Sequence, residues 1–173
     1  MILALALALG AAIPPPDILF DCQVEQRLPE GGEARSHRVA LFYPRGAASG
    51  AGKGDRRLDV VDPDRVLDFP RMSPVLLFAV GVARNGGYPP SIRIDFPPST
   101  GPGPHGETWE PLDGGGFFDT KIDWRNHTAS VSLGRRAKQI GWSADGPVAK
   151  RYDGACTLRT GRSAWAAFKG INQ

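Results

Sequence analysis

Residues 117–133 read FFDTKIDWRNHTASVSL, and the alternation of apolar and polar side chains in this stretch decides the fold class. A turn at residues 125–126 sets its two halves opposite each other as antiparallel strands. The facing positions are then Trp124 with His127, Ile122 with Ala129, Thr120 with Val131, and Phe118 with Leu133. In this register the apolar side chains of both strands share one face, and a shift of one residue would scatter them over both faces. The stretch therefore predicts a β-hairpin with a well-specified register.

Short runs with the same alternation recur along the rest of the chain, separated by turn residues, which is typical of an all-β protein. The further predicted strands cover residues 18–27, 36–43, 58–61, 75–82, 92–96, 138–143 and 148–160. The most apolar run, residues 75–82, predicts a central strand. Asp62-Pro63 predicts a helical turn near residue 65, and residues 163–169 predict a short terminal helix. The predicted architecture is all-β, as a single antiparallel β-sandwich or a closed β-barrel of about eight or nine strands with short helical turns.

The two cysteines of the chain, Cys22 and Cys156, lie near its two ends. Cys22 shares a strand face with Phe20, and Cys156 shares one with Leu158, so both sulfur atoms are expected to point into the core. An isolated pair of this kind in an oxidising compartment is most simply a disulfide. We therefore predict a Cys22–Cys156 disulfide that joins the first and last strands, an arrangement that favours closure of a barrel.

The first 12 residues have the composition of an export signal. Residues 2–9 contain no polar side chain, and small residues follow at positions 10–12, where a signal peptidase would cut. The apolar run is shorter than the roughly 20 residues that a membrane-spanning helix needs. The sequence predicts a signal peptide at residues 1–12, a Pro-rich spacer at residues 13–17 and a single β-rich domain at residues 18–173; a buried N-terminal segment is the alternative. The mature protein is then expected in the periplasm or the extracellular space, with no integral membrane segment.

This order of leader, early cysteine and late Tyr152-x-Gly154-x-Cys156 resembles small exported β-proteins of Gram-negative bacteria. The resemblance implies export and a β fold. It carries no activity, ligand or site residue over to this chain.

The formal net charge is +3, and no charged side chain precedes Asp17, so removal of the leader leaves this value unchanged. A field this weak provides little steering toward nucleic acid or anionic lipid. The short basic pairs are Arg56-Arg57, Arg135-Arg136 and Lys150-Arg151, and none has an interleaved aromatic residue. They are interpreted as solvated surface, and nucleic acid is not expected as a partner.

No motif in the sequence identifies a reaction or a cofactor. Residues 46–54 resemble a phosphate-binding loop but lack the glycine and the hydroxyl that the motif needs, so they are interpreted as a surface loop. The histidines are His37, His105 and His127. They have no metal-ligand spacing with one another or with a cysteine. Asp119 and Asp123 share a strand face, but strand rise sets them about 13 Å apart, too far for a glycosidase pair. The sequence thus predicts no catalytic residue, no metal site and no cofactor.

The region with most functional promise is the loop at residues 97–116, which has almost no periodic pattern. Loops of this length in compact domains are usually functional or disordered. The candidate binding residues in it are His105, Glu107, Trp109 and Glu110. An exposed Trp beside carboxylates can bind sugars, peptides or cations; the alternative is that Trp109 covers one end of the core.

The leading functional hypothesis is a non-enzymatic exported module that binds an unknown ligand or protein partner through a sheet face or through residues 97–116. One alternative is an envelope hydrolase whose site is assembled only in three dimensions. That alternative predicts a pocket that joins at least two of the side chains of His37, His105, His127, Asp119 and Asp123. Another alternative is a structural subunit of an envelope assembly, which predicts a large exposed apolar patch.

Overall fold

The computed structural model of the chain describes residues 16–28, 34–45, 58–67, 76–78, 88–96, 98, 100–102, 109–111, 114–138 and 145–171. The predicted signal peptide, the first part of the Pro-rich spacer and the loop at residues 46–54 lie outside these residues. Most of the strand predicted at residues 138–143 also lies outside them.

Within the described residues the chain forms strands and one helix. The strands are β1 Ile18–Gln26, β2 Ser36–Tyr43, β3 Asp59–Val61, β4 Leu76–Phe78, β5 Ser91–Phe96, β6 Thr100–Pro102, β7 Trp109–Pro111, β8 Gly116–Asp123, β9 Thr128–Arg136 and β10 Val148–Thr160. The helix is α1, Arg162–Ile171. The all-β prediction is confirmed, and the bounds of β2 and β10 agree with the predicted ones.

The large sheet is antiparallel throughout and has the strand order β3-β2-β1-β10-β9-β8-β5-β4, while β6 and β7 form a separate ribbon. This sheet curls into a half-barrel. β1 pairs with β10 along its whole length, so the first and last strands lie side by side near the middle of the sheet. In the described part of the chain β3 and β4 remain as two edges, so neither the predicted sandwich nor the closed barrel is confirmed.

Of the central strand predicted at residues 75–82, the structure describes residues 76–78. The described strand is β4, which pairs with β5 and ends the sheet order. A strongly apolar run indicates that the faces of a strand are covered, but it does not specify which neighbours that strand hydrogen-bonds to.

β8 and β9 form the predicted hairpin. The observed pairs include Phe118 with Leu133, Thr120 with Val131, and Ile122 with Ala129, as predicted. β8 ends at Asp123 and β9 begins at Thr128, so each strand stops one residue further from the predicted two-residue loop. The reason is that residues 124–127 form a longer turn. Asp123 accepts hydrogen bonds from the backbone amides of Arg125 and Asn126 in this turn, at 3.0 and 3.2 Å. His127 completes the turn with a φ of 52° and is exposed.

A contact between two phenylalanine rings shows which face of the sheet lies inside the curl. Phe20 in β1 and Phe118 in β8 are separated in the sheet by β10 and β9. Three strand spacings would place them about 14 Å apart in a flat sheet, yet their ring centroids are 5.4 Å apart. The main core therefore fills the inner face. Its fully buried members include Ile18, Val24, Val39, Leu41, Ile92, Ile94 and Leu133.

The outer face of β1 and β2 is covered by α1, which confirms the predicted terminal helix and extends it to Arg162–Ile171. The residues that pack between helix and sheet are Leu19, Ala40, Phe42, Ala164 and Phe168. This second apolar cluster fixes α1 against the strands, and it leaves the opposite side of the helix facing solvent.

The predicted helical turn near residue 65 is wrong, because residues 62–67 form a non-helical turn. Arg65 has a φ of 54°, in the left-handed region, which interrupts a right-handed helix. Asp62 still acts as a cap, since its carboxylate accepts hydrogen bonds from the amides of Val66 and Leu67 at 2.8 and 2.7 Å. Both of these side chains are buried in the main core, so the turn folds over the inner face.

Gly154 marks a place where two strands approach too closely for a side chain. It faces Val24 of β1 and Val131 of β9, and a Cβ at this position would lie 2.1 Å from the carbonyl oxygen of Gln23. Because backbone must move to relieve this contact, we expect Gly154→Ala to lower the free energy of unfolding by about 3 kcal/mol. Denaturant unfolding of the purified protein measures this change.

Gly170→Ala is the matched control for that substitution. A Cβ at Gly170 in α1 meets nothing within 4 Å, and alanine favours helix by up to about 1 kcal/mol relative to glycine. We expect this variant to be as stable as the parent or slightly more stable. Equal losses in the two variants would contradict the assignment of Gly154 as a point of close backbone approach.

Candidate functional site

The disulfide joins two neighbouring strands near the middle of the sheet. Cys22 and Cys156 are directly opposed in β1 and β10, and their sulfur atoms are bonded at 2.05 Å. Both residues are buried among the apolar side chains of the inner face. The predicted pairing and its inward direction are thus confirmed, and neither cysteine is a free thiol.

The predicted binding loop at residues 97–116 contains regular structure. Trp109 pairs with Pro102 and Glu110 pairs with Gly101 in the β6–β7 ribbon. His105 and Glu107 lie outside the described residues. The four candidate residues remain a prediction as a binding site.

His37 forms a polar cluster with the 62–67 turn at one end of the inner face. Its Nδ1 lies 3.1 Å from a carboxylate oxygen of Asp64, and its ring meets the ring of Tyr152 edge-to-face at 5.7 Å. Burial raises the pKa of the Tyr152 hydroxyl, and the nearby Asp62 carboxylate raises it further. These contacts attach the turn to β2 and β10.

The described side chains of the set that the hydrolase alternative requires do not meet. His37 lies on the inner face, whereas Asp119 and Asp123 are exposed on the outer face of β8. His127 is exposed in the turn that follows β8, and His105 lies outside the described residues. The part of the chain that the structure describes also holds no group of three or more His, Cys, Asp or Glu residues able to bind a metal ion.

A buried ion cluster lies on the outer face where β5 and β9 flank β8. The Asp95 carboxylate, 1% exposed, accepts hydrogen bonds from Arg136 Nη2 at 2.7 Å and from Arg93 Nε at 2.9 Å. Arg93 also reaches Asp145 at 3.1 Å. The Arg136 guanidinium lies over the Phe117 ring, with its Cζ 5.0 Å from the ring centroid. Carboxylates balance both guanidinium groups, which indicates a structural role.

The interpretation of Arg135-Arg136 as solvated surface is wrong for Arg136, which is 6% exposed. Successive side chains in a strand point to opposite faces, so the two arginines enter different environments. Arg136 points to the outer face, where its charge is compensated by Asp95, 41 residues away in sequence. The residues near Arg136 in the sequence do not indicate that Asp95 is its partner.

One side of α1 presents an exposed indole flanked by cations. Arg162, Trp165 and Lys169 follow one another at spacings of three and four residues, so they lie on the same side of the helix. Ala164 and Phe168 face the sheet instead. Trp165 is 42% exposed, and both cationic side chains are also exposed.

The position of the exposed indole is held by contacts on its other side. The Trp165 ring centroid lies 5.0 Å from that of Phe42 in β2 and 5.9 Å from that of Phe168. The ammonium nitrogen of Lys169 lies 5.8 Å from the indole centroid. A fixed aromatic surface with an adjacent cation therefore faces solvent.

Further cations extend this surface beyond the helix. Arg159 is exposed and lies opposite Leu19, on the face of the sheet that α1 covers. The backbone amide of Leu158 donates to the carbonyl of His127 at 2.8 Å, which brings the exposed Arg125 to the same end of the sheet. We define the basic–aromatic surface as Arg159, Arg162, Trp165 and Lys169, with Arg125 at the same end of the sheet.

Carboxylates on the strands beside α1 and at the β8–β9 turn include Asp17, Asp21, Asp59 and Asp123. Asp21 pairs with Arg38 at 2.8 Å. Asp17 accepts a hydrogen bond from the amide of Arg45 at 2.7 Å. Hydrogen bonds from the side chain and the backbone amide of Asn126 lower the pKa of Asp123, so this carboxylate is committed to the turn. The sequence of α1 contains no acidic residue. The side of α1 around Trp165 therefore carries cations and no carboxylate.

A second aromatic pair lies beside the β8–β9 turn. Trp124 Nε1 donates a hydrogen bond to the carbonyl of Pro89 at 2.8 Å, and the Trp124 ring centroid lies 5.0 Å from that of Tyr88. Trp124 also packs against the main core. These contacts connect the segment before β5 to the hairpin, which explains the position of the pair structurally.

Comparison with known proteins gives no match. No protein-family model, no curated protein and no solved structure matches this chain. In the described residues, no helix is long and apolar enough to cross a membrane. The functional inference therefore rests on the arrangement of the side chains.

Sequence reasoning identified the helix that carries Trp165 but not the surface around it. The net charge of the whole chain does not reveal that α1 carries cations and no carboxylate. One signal was present in the sequence: residues 162–171 combine Arg, Trp and Lys at helical spacing with no acidic residue. The contribution of Arg125 and Arg159 depends on strand pairing.

Proposed function

We propose that this protein is an exported, non-enzymatic binding module that holds an anionic partner at the basic–aromatic surface. The observation that carries the proposal is an exposed Trp165 that packs on Phe42 and has exposed cations on the same side of a helix without acidic residues. Aromatic rings and arginines are enriched at binding surfaces, where they supply apolar area and directional hydrogen bonds.

Export is supported by the disulfide, because such bonds persist mainly in oxidising compartments. In this proposal residues 1–12 are removed as a signal peptide, residues 13–17 form a spacer, and the domain acts in the periplasm or outside the cell. The closed barrel or sandwich remains a prediction for the full chain.

Export has a direct test. Protein recovered from the periplasm should begin after residue 12, and its intact mass should be lower by two hydrogens than the mass of the reduced form. A retained leader or two free thiols would contradict the export part of the proposal.

Binding can be mapped by the amide NMR spectrum of the full mature chain. The probes are anionic lipid vesicles, an acidic polysaccharide and poly-glutamate. We expect at least one of them to shift or broaden the amide signals of residues 124–127 and 159–171, because the cations of the surface lie there. Changes confined to other parts of the chain, or no change with any probe, would overturn the proposed function.

A matched pair of variants separates this surface from general charge. Arg162→Gln with Lys169→Gln removes two positive charges from the surface, and Lys121→Gln with Lys150→Gln removes two exposed charges from elsewhere in the sheet. We expect the first double variant to weaken binding of the active probe at least tenfold and the second by less than about twofold. Equal weakening would indicate non-specific attraction and contradict the proposal.

A further inference from the structure

We infer that the partner of the basic–aromatic surface is the headgroup region of an anionic lipid bilayer, to which the domain binds peripherally. This inference rests on the proposed function and names the partner of the same surface. It follows from the type of aromatic side chain, the spacing of the cations and the way the surface is supported.

The exposed aromatic residue has the chemistry of a membrane interface. An indole combines a large apolar ring with an N–H donor, and Trp is enriched at the boundary between headgroups and acyl chains for that reason. Trp165 is 42% exposed, and its ring is supported from beneath by Phe42 and Phe168. The ring can enter the boundary region without rearrangement of the helix.

The cations are spaced for an extended anionic surface rather than for one small anion. Arg162 and Lys169 are two helical turns apart, which corresponds to about 10 Å along the axis. Trp165 lies between them. A single phosphate would have to draw both side chains across the indole, whereas a bilayer offers a separate headgroup to each cation.

The helix presents its cationic side to solvent and its apolar side to the protein. Its buried residues, Ala164 and Phe168, face the protein, and Arg162, Trp165 and Lys169 face solvent. Arg159 adds positive charge on the face of the sheet that α1 covers. Lys and Arg side chains beside an anionic leaflet are attracted to it, and an exposed Trp among them favours the headgroup boundary.

The expected binding is weak, reversible and sensitive to salt. Each Lys or Arg near an anionic surface strengthens binding by about fivefold, and the attraction falls off within a Debye length of about 8–10 Å at physiological salt. Removal of two of these cations should therefore weaken binding by about 25-fold.

Vesicle flotation of the full mature chain tests the inference. Vesicles of phosphatidylglycerol and phosphatidylcholine should carry the protein to the top of the gradient, and vesicles of phosphatidylcholine alone should not. Arg162→Gln with Lys169→Gln should reduce the partition coefficient about 25-fold, and Lys121→Gln with Lys150→Gln by less than about twofold. Equal binding to both kinds of vesicle would overturn the electrostatic part of the inference.

Fluorescence tests whether Trp165 enters the interface. Anionic vesicles should shift the emission of the protein to shorter wavelength and protect it from acrylamide. Trp165→Phe should abolish the shift while the other tryptophans continue to report the native fold. A full shift in the Trp165→Phe protein would overturn the placement of this side chain.

Soluble probes distinguish the failure of this inference from failure of the proposed function. Saturable binding of glycerol 3-phosphate that shifts the amides of residues 159–171 would replace the bilayer with a small anion. If vesicles do not bind but poly-glutamate or the acidic polysaccharide shifts the same amides, the inference falls and the proposed function stands. If none of these probes acts on the surface, both fall.

Discussion

Replacing both Cys22 and Cys156 with alanine is expected to lower the free energy of unfolding by about 2–5 kcal/mol. The bond joins residues 134 apart in sequence, and in the chain-entropy model closure of a loop of that length is worth about 5 kcal/mol at most. The bond also lies between two strands that pair over nine residues in the middle of the sheet, so its loss should affect the whole domain. Urea unfolding monitored by circular dichroism measures the change.

Val39→Ala separates the cross-link from packing in that experiment. Val39 is fully buried and faces Cys22 from β2, so this variant removes buried atoms at the same place and keeps the disulfide. We expect it to cost about 1–3 kcal/mol. Because this variant keeps the disulfide, a reducing agent should lower its midpoint as it does for the parent, whereas the double alanine variant should not respond to the reducing agent. For the parent protein, a reducing agent should reproduce most of the loss seen in the double alanine variant. A double variant as stable as the parent would show that the cross-link does not stabilise the domain.

Asp95→Asn is expected to lower the free energy of unfolding by about 3–5 kcal/mol. The Asp95 carboxylate lies between the guanidinium groups of Arg93 and Arg136, and the Arg136 side chain is almost fully buried. Neutralising Asp95 leaves a buried positive charge without its counter-charge. Thermal and denaturant unfolding at neutral pH measure the effect.

Asp145→Asn is the control for the buried ion cluster. Asp145 also binds Arg93, but its side chain is 87% exposed, so water replaces the lost interaction and the expected change is below about 0.5 kcal/mol. Asp95→Leu combined with Arg136→Met tests whether charge or shape matters, because it removes both buried charges together. This double variant should recover part of the loss caused by Asp95→Asn. If Asp95→Asn and Asp145→Asn were equally mild, the cluster would not stabilise the fold.

The strands that could be predicted are those in which apolar and polar residues alternate, because this alternation indicates which face is buried. The β8–β9 register follows from the separation of apolar and polar faces, and a slip by one residue would bury Asp119 and Lys121. The same rule predicted the bounds of β2 and β10 and the inward direction of both cysteine side chains. The disulfide could then be predicted because the chain contains no other cysteine.

Features that depend on distant partners could not be predicted in this way. β4 belongs to the most apolar run but lies at an edge of the described sheet, since strand neighbours are chosen by chain topology rather than by hydrophobicity. The sequence predicts that Arg136 is solvated, but the fold places the Asp95 carboxylate within hydrogen-bond distance of its guanidinium group. At residue 65, a left-handed backbone conformation replaced the helical turn that Asp62-Pro63 favours.

Part of the basic–aromatic surface follows from the local sequence pattern, and part depends on residues distant in sequence. Arg162, Trp165 and Lys169 share one side of α1 because of their spacing alone. Whether that side faces solvent was decided by Leu19, Ala40 and Phe42, which bury the opposite side of the helix. The position of Arg125 at the same end of the sheet depends on the turn between β8 and β9.

The sequence by itself determined the β class, the hairpin register and the cysteine pairing, because short-range periodicity and a unique pair of thiols leave few alternatives. Only the tertiary structure decided how the sheet curls, which carboxylate compensates Arg136, and where the cations collect. The physical reason is that burial and electrostatic pairing act between side chains brought together by the fold, and such partners are separated along this chain by tens of residues.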